Sequence, residues 1–391
     1  MKVLVAMDSF KGSVSSCEAG EAVAAGIRSV YPDAQLDVLL LADGGEGTMD
    51  AMLAACGGQR RTVSVTGPLR EKLIVSYIVL PDGRTAIIET AAVCGLPLVP
   101  EDRRSPMETT TFGIGELVAD AIRAGCREVI VGLGGSATND AGIGMLSALG
   151  WSFRSSDGRR LLHGGAGLLE VSSIEPPAPG TLAALRECTF YGACDVRNPL
   201  YGPEGAAFVY SPQKGAQPAE VKMLDSGLRR FAKLVETTLG ADIASFPGAG
   251  AAGGLGGAIA GFLGGRMHSG VGLLLEKSGV ERRLKGADIV VTGEGRLDRQ
   301  TSMGKAPLGL AELAGKWGIP VIALAGSVDR EATVLNELGV SAFFSIANGP
   351  LSLAEAMEPE RALQNMSLTV EQLFRLLRAS GILERVKPTS L

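Results

Sequence analysis

The chain has 391 residues, more than the roughly 250–300 at which a single hydrophobic core stops growing, so two domains are expected. Hydrophobic residues make up 46% and charged residues 20%, which excludes a disordered or fibrous protein. A formal net charge of −5 argues against a surface built for nucleic acid or anionic membranes, while six cysteines without a CxxC pair and two histidines argue against a zinc site or a disulfide framework.

In chain order, "KVLVAMD" at 2–8 is a short apolar run ending in Asp and predicts a buried parallel strand. It reaches an acid before a secretory apolar region develops, so a first strand is expected in place of a signal peptide, and a cytoplasmic enzyme with it. "SSCEAGEAVAAGIRSVYP" has a Ser15 or Ser16 cap, alanines and a proline stop, and predicts a crossover helix. "DVLLLAD" at 37–43 then closes a βαβ unit. Residues 62–90 change grammar: "TVSVTGP" and "KLIVSYIVLPDGRTAIIET" predict antiparallel strands with a Pro-Asp-Gly turn.

The run "GAGAAGGLGGAIAGFLGG" at 248–265 is uncharged with small-xxx-small spacing, as in a membrane helix pair. Interior glycine costs about 1 kcal/mol relative to Ala, so the expectation is a closely packed buried helix after a glycine loop. "DIVVTG" at 288–293, "PVIALAG" at 320–326 and "SAFFSI" at 341–346 restore the alternation of strand and helix. The predicted fold is α/β: a Rossmann-like parallel domain built from both chain ends, 1–65 plus 286–391, with a second mixed α/β domain, 66–285, inserted in it.

Ligands of open α/β sheets collect at the carboxyl ends of the strands, and the loops there are unusually polar. "DSFKGS" offers Asp8, Ser9 and Lys11: Lys11 to meet a carboxylate or phosphate, Asp8 to orient it or bind metal. "DGGEGT" sets Gly44, Gly45 and Gly47 for close backbone approach to a ligand, with Asp43 and Glu46 as oxygens for hydroxyls or Mg²⁺, or with Asp43 as a helix cap. "GLGGSATNDAGIGM" at 132–145 looks built for an anion, yet lacks the lysine of a Walker A loop. Asp195 in "GACDVRNPLYGPEG" is placed as a proton acceptor, a Mg²⁺ ligand or an Asx-turn residue. "TGEGRLDRQTSMGK" mixes Glu294 and Asp298 with Arg296, Arg299 and Lys305, metal-binding oxygens beside phosphate donors. His163 and His268 lack a serine motif or ligand spacing and read as structural; Cys94, Cys126 and Cys188 read as core.

Taken in order from residue 7 to 327, "DSFKGS", "ADGGEGT", "VTGP", "GGSATNDAGIGML", "ACDVRNPLYGPEGA", "PQKGA", "PGAGAAGGLGG", "VVTGEGRLDRQTSMGKAP" and "AGS" resemble the type-1 glycerate kinases of bacteria. The resemblance implies ATP-dependent phosphorylation of D-glycerate at the 2-hydroxyl, giving 2-phosphoglycerate. It also implies Mg²⁺ and a two-domain α/β enzyme without a Walker A loop, its active site in the cleft between the domains. Phosphorylation at the 3-hydroxyl, a non-catalytic sugar-acid sensor and an isomerase of a phosphorylated acid stand as alternatives. Two departures are visible: Ala141 stands where the family commonly has a second glycine after Asn-Asp, and Met303 occupies a variable place before Gly304-Lys305.

On this reading, backbone N–H groups of Gly134, Gly135 and onward to Thr138, with the Ser136 and Thr138 hydroxyls, hold phosphate. Lys11 and Lys305 offset negative charge, Asp195 is the first candidate for base and Asp43 the second. Glu46, Glu294 and Asp298 serve metal or hydroxyl contacts. Asn139 and Asp140 either touch ligand or cap the helix expected from Ala141. The expected partners are D-glycerate and ATP, without nucleic acid or membrane, in a monomer or homodimer.

Overall fold

The computed structural model describes residues 1–161, 164–298, 301 and 306–381, and in it all the short apolar runs become strands, those near 2–8, 288–293 and 320–326 buried and those near 37–43 and 341–346 less so. By its contacts the chain divides into two compact units, Met1–Asp43 with Val271–Leu391, and Gly44–Gly270.

The first unit holds an all-parallel sheet of β1 (Lys2–Met7), β2 (Gln35–Leu40), β12 (Ile289–Leu297), β13 (Val321–Val328) and β14 (Ala342–Ser345), in the order β14-β13-β12-β1-β2. Helix Ser16–Val30 starts in a capping box: Ser15 Oγ accepts from the Glu18 N–H at 3.3 Å, and the Glu18 carboxylate accepts from the Ser15 N–H at 3.0 Å. It packs on helix Pro359–Ser380, and a Cβ at Gly26 would meet the Ser367 carbonyl. Val3, Val5, Val23, Ile27, Met366 and Phe374 fill that interface.

From β1 the chain goes to β2 on one side, and from β12 to β13 and β14 on the other. Strand order therefore reverses between β1 and β12, the place where open parallel sheets bind ligands. β12 runs past "DIVVTG" because its pairing with β13 continues to Leu297; Glu294 and Arg296, two residues apart, share one face of the strand, the first buried and the second exposed towards its end.

The second unit holds a mixed sheet of β3 (Gln59–Thr66), β4 (Lys72–Val79), β5 (Thr85–Glu89), β6 (Glu128–Gly132), β10 (Thr189–Ala193) and β11 (Arg266–His268), ordered β11-β10-β6-β5-β4-β3. The hairpin grammar holds: β3, β4 and β5 pair antiparallel, whereas β5, β6, β10 and β11 pair parallel. Asp82 fixes the Pro-Asp-Gly turn by accepting from the Arg84 and Thr85 N–H groups at 2.8 and 2.9 Å. A small sheet of β7 (Ser152–Arg154), β8 (Arg160–Leu161) and β9 (Ser173–Glu175) lies apart from it in pairing.

The glycine run forms helix Ala251–Leu263, broken near its start by positive φ at Ala252, Gly253 and Gly254. Among the described residues no helix is long and apolar enough to cross a membrane. In the core of this unit Phe231 and Phe262 stack and Phe153 meets both edge-on, with centroids 5.8 to 6.1 Å apart. Cys94 and Cys126 are buried as expected, Cys188 only half so, and His163 lies outside the described residues.

Candidate functional site

Three carboxylates of the first unit, Asp8, Asp43 and Glu294, lie at the carboxyl ends of the neighbouring strands β1, β2 and β12: Asp8 and Asp43 just beyond their strands and Glu294 within β12. The Asp8 N–H donates to the Gly293 carbonyl at 2.9 Å, extending the β1–β12 pairing by one residue, so Asp8 is level with Glu294 at the reversal point. Both residues are buried. Asp8 Oδ1 accepts from the Ser9 N–H at 2.7 Å. Burial pushes the Asp8 carboxyl up to about 7, and the negative charges of Asp43 and, less, Glu294 push the same way against the Ser9 N–H and Lys11. Exposed Lys11 forms an ion pair with Asp43, while Phe10, buried beneath, pins the loop through an N–H bond to the Val14 carbonyl at 2.8 Å.

The later acidic loop arranges itself differently from the sequence expectation. Arg296 faces Asp329 at 2.7 Å, so its charge is already engaged within the loop. Asp298 Oδ1 accepts from the Thr301 N–H at 3.3 Å, and its other oxygen stands 3.8 Å from Arg296. Among the described residues no group of three or more His, Cys, Asp or Glu is gathered to hold a metal ion. Lys305 lies outside the described residues.

In the second unit the carboxyl ends of β5, β6 and β10 carry the polar loops. Glu89, the last residue of β5, accepts from the N–H groups of Gly47 and Met49 at 3.0 and 3.2 Å, and so caps helix Thr48–Cys56, the role the sequence offered to Asp43. Glu46 is exposed. Gly134 donates its N–H to the Gly44 carbonyl at 3.0 Å, and a Cβ at Gly134 would strike the Gly45 Cα, as one at Gly44 would strike the Ala193 carbonyl. These glycines are there so that two loops can lie backbone on backbone, which corrects the reading of Gly44, Gly45 and Gly134 as ligand-facing; the Gly134 N–H is not a phosphate donor. Gly135, at φ 72°, turns its carbonyl to the Leu96 N–H, and the Ala137 N–H is taken by the Cys94 carbonyl at 2.8 Å.

Asp140 and Ala141 resolve the other ambiguity of this loop. Fully buried Asp140 accepts from the N–H groups of Thr111, Gly142 and Gly144 at 2.9, 3.0 and 3.3 Å and from the Thr111 hydroxyl. It organises the entry to helix Ile143–Ala148. Burial raises its pKa, and those bonds oppose the rise. Asp140→Asn turns an amide NH₂ against these donors and is expected to cost about 3 kcal/mol of stability, read as a lowered Tm. Ala141 has φ 50°, in the left-handed region that favours glycine, which is the physical content of its departure from the family pattern.

The sequence reading missed Lys214. Its Nζ donates to Ser136 Oγ at 2.9 Å and to the Thr138 carbonyl at 2.7 Å, from a short turn Pro212–Lys214 that lies 78 residues beyond Ser136. Ser211 of the same turn donates to Asn139 Oδ1 at 3.4 Å. Burial pushes the Lys214 ammonium down from its ordinary 10.5 to about 8, opposed by Cys94 and Asp140. Between those values the unfolded chain holds the proton and the folded chain does not. Stability relative to Lys214→Met is therefore expected to rise with pH from about 8 to 10.5, by up to roughly 3 kcal/mol, as measured by urea midpoints of both proteins; a flat difference would contradict it.

Asp195 follows β10. Its Oδ1 accepts from the Gly270 N–H at 3.1 Å, and the preceding Cys194 N–H donates to the His268 carbonyl at 2.9 Å. Asn198 braces the following turn, donating to the Glu204 carbonyl and accepting from the Tyr210 hydroxyl. Each unit thus presents a polar cluster at the carboxyl ends of parallel strands: Asp8, Lys11, Asp43 and Glu294 in one, the 133–142 loop with Lys214 and Asp195 in the other.

Comparison with known proteins agrees with this architecture. Residues 3–378 match the Glycerate kinase family. The chain is 41% identical over 375 residues to "Glycerate 2-kinase" of Escherichia coli (strain K12), covering 95% of this chain and 98% of that protein. It is 44% identical over 358 residues to "Glycerate kinase" of Bacillus subtilis (strain 168), covering 92% and 93%. The crystal structure of putative glycerate kinase 2 from Salmonella typhimurium LT2 superposes with a TM-score of 0.83 at 41% identity, over 98% of this chain and 99% of that one. The chain belongs to the glycerate kinase family.

Proposed function

We propose that this protein is a cytoplasmic, ATP-dependent kinase that phosphorylates D-glycerate at the 2-hydroxyl, releasing 2-phosphoglycerate and ADP, and that its two compact units are the enzyme's two domains. The observation that carries the reading is the similarity, end to end, to a protein named glycerate 2-kinase. The 2-hydroxyl oxygen attacks the γ-phosphorus, the bond to the β-phosphate oxygen breaks, and the hydroxyl proton passes to Asp195, whose other contact, the Gly270 N–H, holds the carboxylate in place. Lys11 offsets charge on the anionic substrate from its exposed position beside Asp43.

The donor set of the first unit fits Mg²⁺. That ion is ordinarily held by one or two carboxylates plus substrate phosphates and water, so a larger protein cage is not required. Asp8 and Asp43 would hold it; the Asp8 carboxyl is raised first by burial and then by the negative charge of Asp43, which a bound cation would offset. When bound, the ion neutralises phosphate charge. A coupled assay tests the function: ADP is expected only when D-glycerate and ATP are both present. ADP release indifferent to glycerate, or binding of glycerate without turnover, would sink the proposal.

A further inference from the structure

The loop Gly134–Thr138 has no lysine of its own, yet a lysine reaches it from below. Lys214 is buried, and among the described residues no carboxylate comes within ion-pair distance of it. Asp140, the acid whose charge it feels, has its oxygens occupied by Thr111, Gly142 and Gly144. A buried ammonium without an ion-pair partner is costly, and in a purely structural role an apolar chain of similar volume does as well or better. The charge therefore calls for a role beyond packing.

Its hydrogen bonds supply one. An ammonium only donates, so at 2.9 Å Ser136 Oγ is the acceptor, which leaves the serine's own proton to be donated elsewhere. Ser136 retains some exposure, whereas Thr138, Asn139 and Asp140 have none. Among the described residues Ser136 Oγ has no second hydrogen bond. The second Lys214 bond, to the Thr138 carbonyl, fixes the loop two residues further on, and the amide nitrogen of fully buried Asn139 has no partner among the described residues. A hydroxyl that accepts from a cation is also a stronger donor.

We propose that Lys214 is a positioning residue which holds Ser136 as an obligatory hydrogen-bond donor to an anionic oxygen of substrate, replacing from beneath the lysine that the loop lacks. This rests on the kinase reading above. The anionic oxygen belongs either to an ATP phosphate or to the glycerate carboxylate, and the two are told apart by which KM responds.

The pH dependence is distinctive. When Lys214 loses its proton above about 8, the amine lone pair can accept from Ser136, and the serine ceases to be an outward donor. Of the other ionisable groups near Lys214, the Cys94 thiol is pushed up to about 12 by burial, and burial raises the Asp140 carboxyl while the N–H groups of Thr111, Gly142 and Gly144 oppose that rise.

The test measures KM for ATP and for D-glycerate in wild type, Ser136→Ala, Lys214→Met and the double variant, with Tm recorded for each. Ser136→Ala is expected to raise one of the two KM values about 10- to 100-fold, with a lowered Tm because the buried Lys214 ammonium loses one of its two acceptors. Lys214→Met raises the same KM, the double variant is no worse than the poorer single, and the rise of that KM above pH 8 seen in wild type disappears in both. Should Lys214→Met fail to fold, the pH profile of Ser136→Ala decides: the KM rise above pH 8 must vanish with the hydroxyl, and its persistence would overturn the proposal. Wild-type values of both KMs in Ser136→Ala, or additive effects in the double variant, would overturn the proposal. Absence of glycerate-dependent ADP release in the wild type would overturn the kinase reading instead.

Discussion

Asp195→Asn is expected to lower the turnover number with D-glycerate by about 10²- to 10⁴-fold, the range that a proton acceptor contributes. The fold should survive, because the amide oxygen can still accept from the Gly270 N–H that Oδ1 meets at 3.1 Å. The lower end of the range is the better expectation, since phosphoryl transfer has a loose transition state that asks little of a base. Asp43 competes for the role but shares its charge with Lys11. Steady-state kinetics beside circular dichroism measure the effect. Turnover within threefold of wild type in Asp195→Asn, with a collapse in Asp43→Asn, would exchange the two assignments.

The second large effect is placed at Asp8. Asp8→Asn is expected to reduce kcat/KM by about 10²- to 10³-fold, the scale of losing one electrostatic element of a transition-state clamp. It should also abolish the Mg²⁺-dependent part of the thermal shift given by ADP, which wild type shows because a ligand bound only to the folded state raises Tm. This second readout separates metal binding from general damage. Without metal the variant should be no less stable than wild type, since the amide keeps the Ser9 N–H bond and removes a buried charge that faces Asp43 and Glu294. A full Mg²⁺-dependent shift in Asp8→Asn would take the metal away from this pair.

Local chemistry made much of this legible in the sequence. β1, β2, β12, β13 and β14 announce themselves as short apolar runs, the Ser15–Glu18 capping box marks a helix start, and the turn at Asp82 marks a hairpin, because each signal acts within a few residues. Long-range partners were not legible. Nothing near Ser136 predicts Lys214, and nothing near Thr48 predicts that Glu89 caps its helix from 42 residues beyond Gly47. Glycines misled for a related reason. The same freedom that lets a backbone approach a ligand lets it approach another backbone, and at Gly44 and Gly134 the partner is the chain itself. Polar residues such as Glu294 and Arg296 hid the continuation of β12 beyond Gly293, which only its pairing with β13 sustains.

The most direct test of the central claim is the identity of the product. Phosphorus and proton NMR of the reaction of ATP with D-glycerate should show a phosphate coupled to the single proton on C2, that of 2-phosphoglycerate, appearing in step with ADP. Coupling to the two protons on C3, or ADP formed without any phosphoglycerate, would contradict the account.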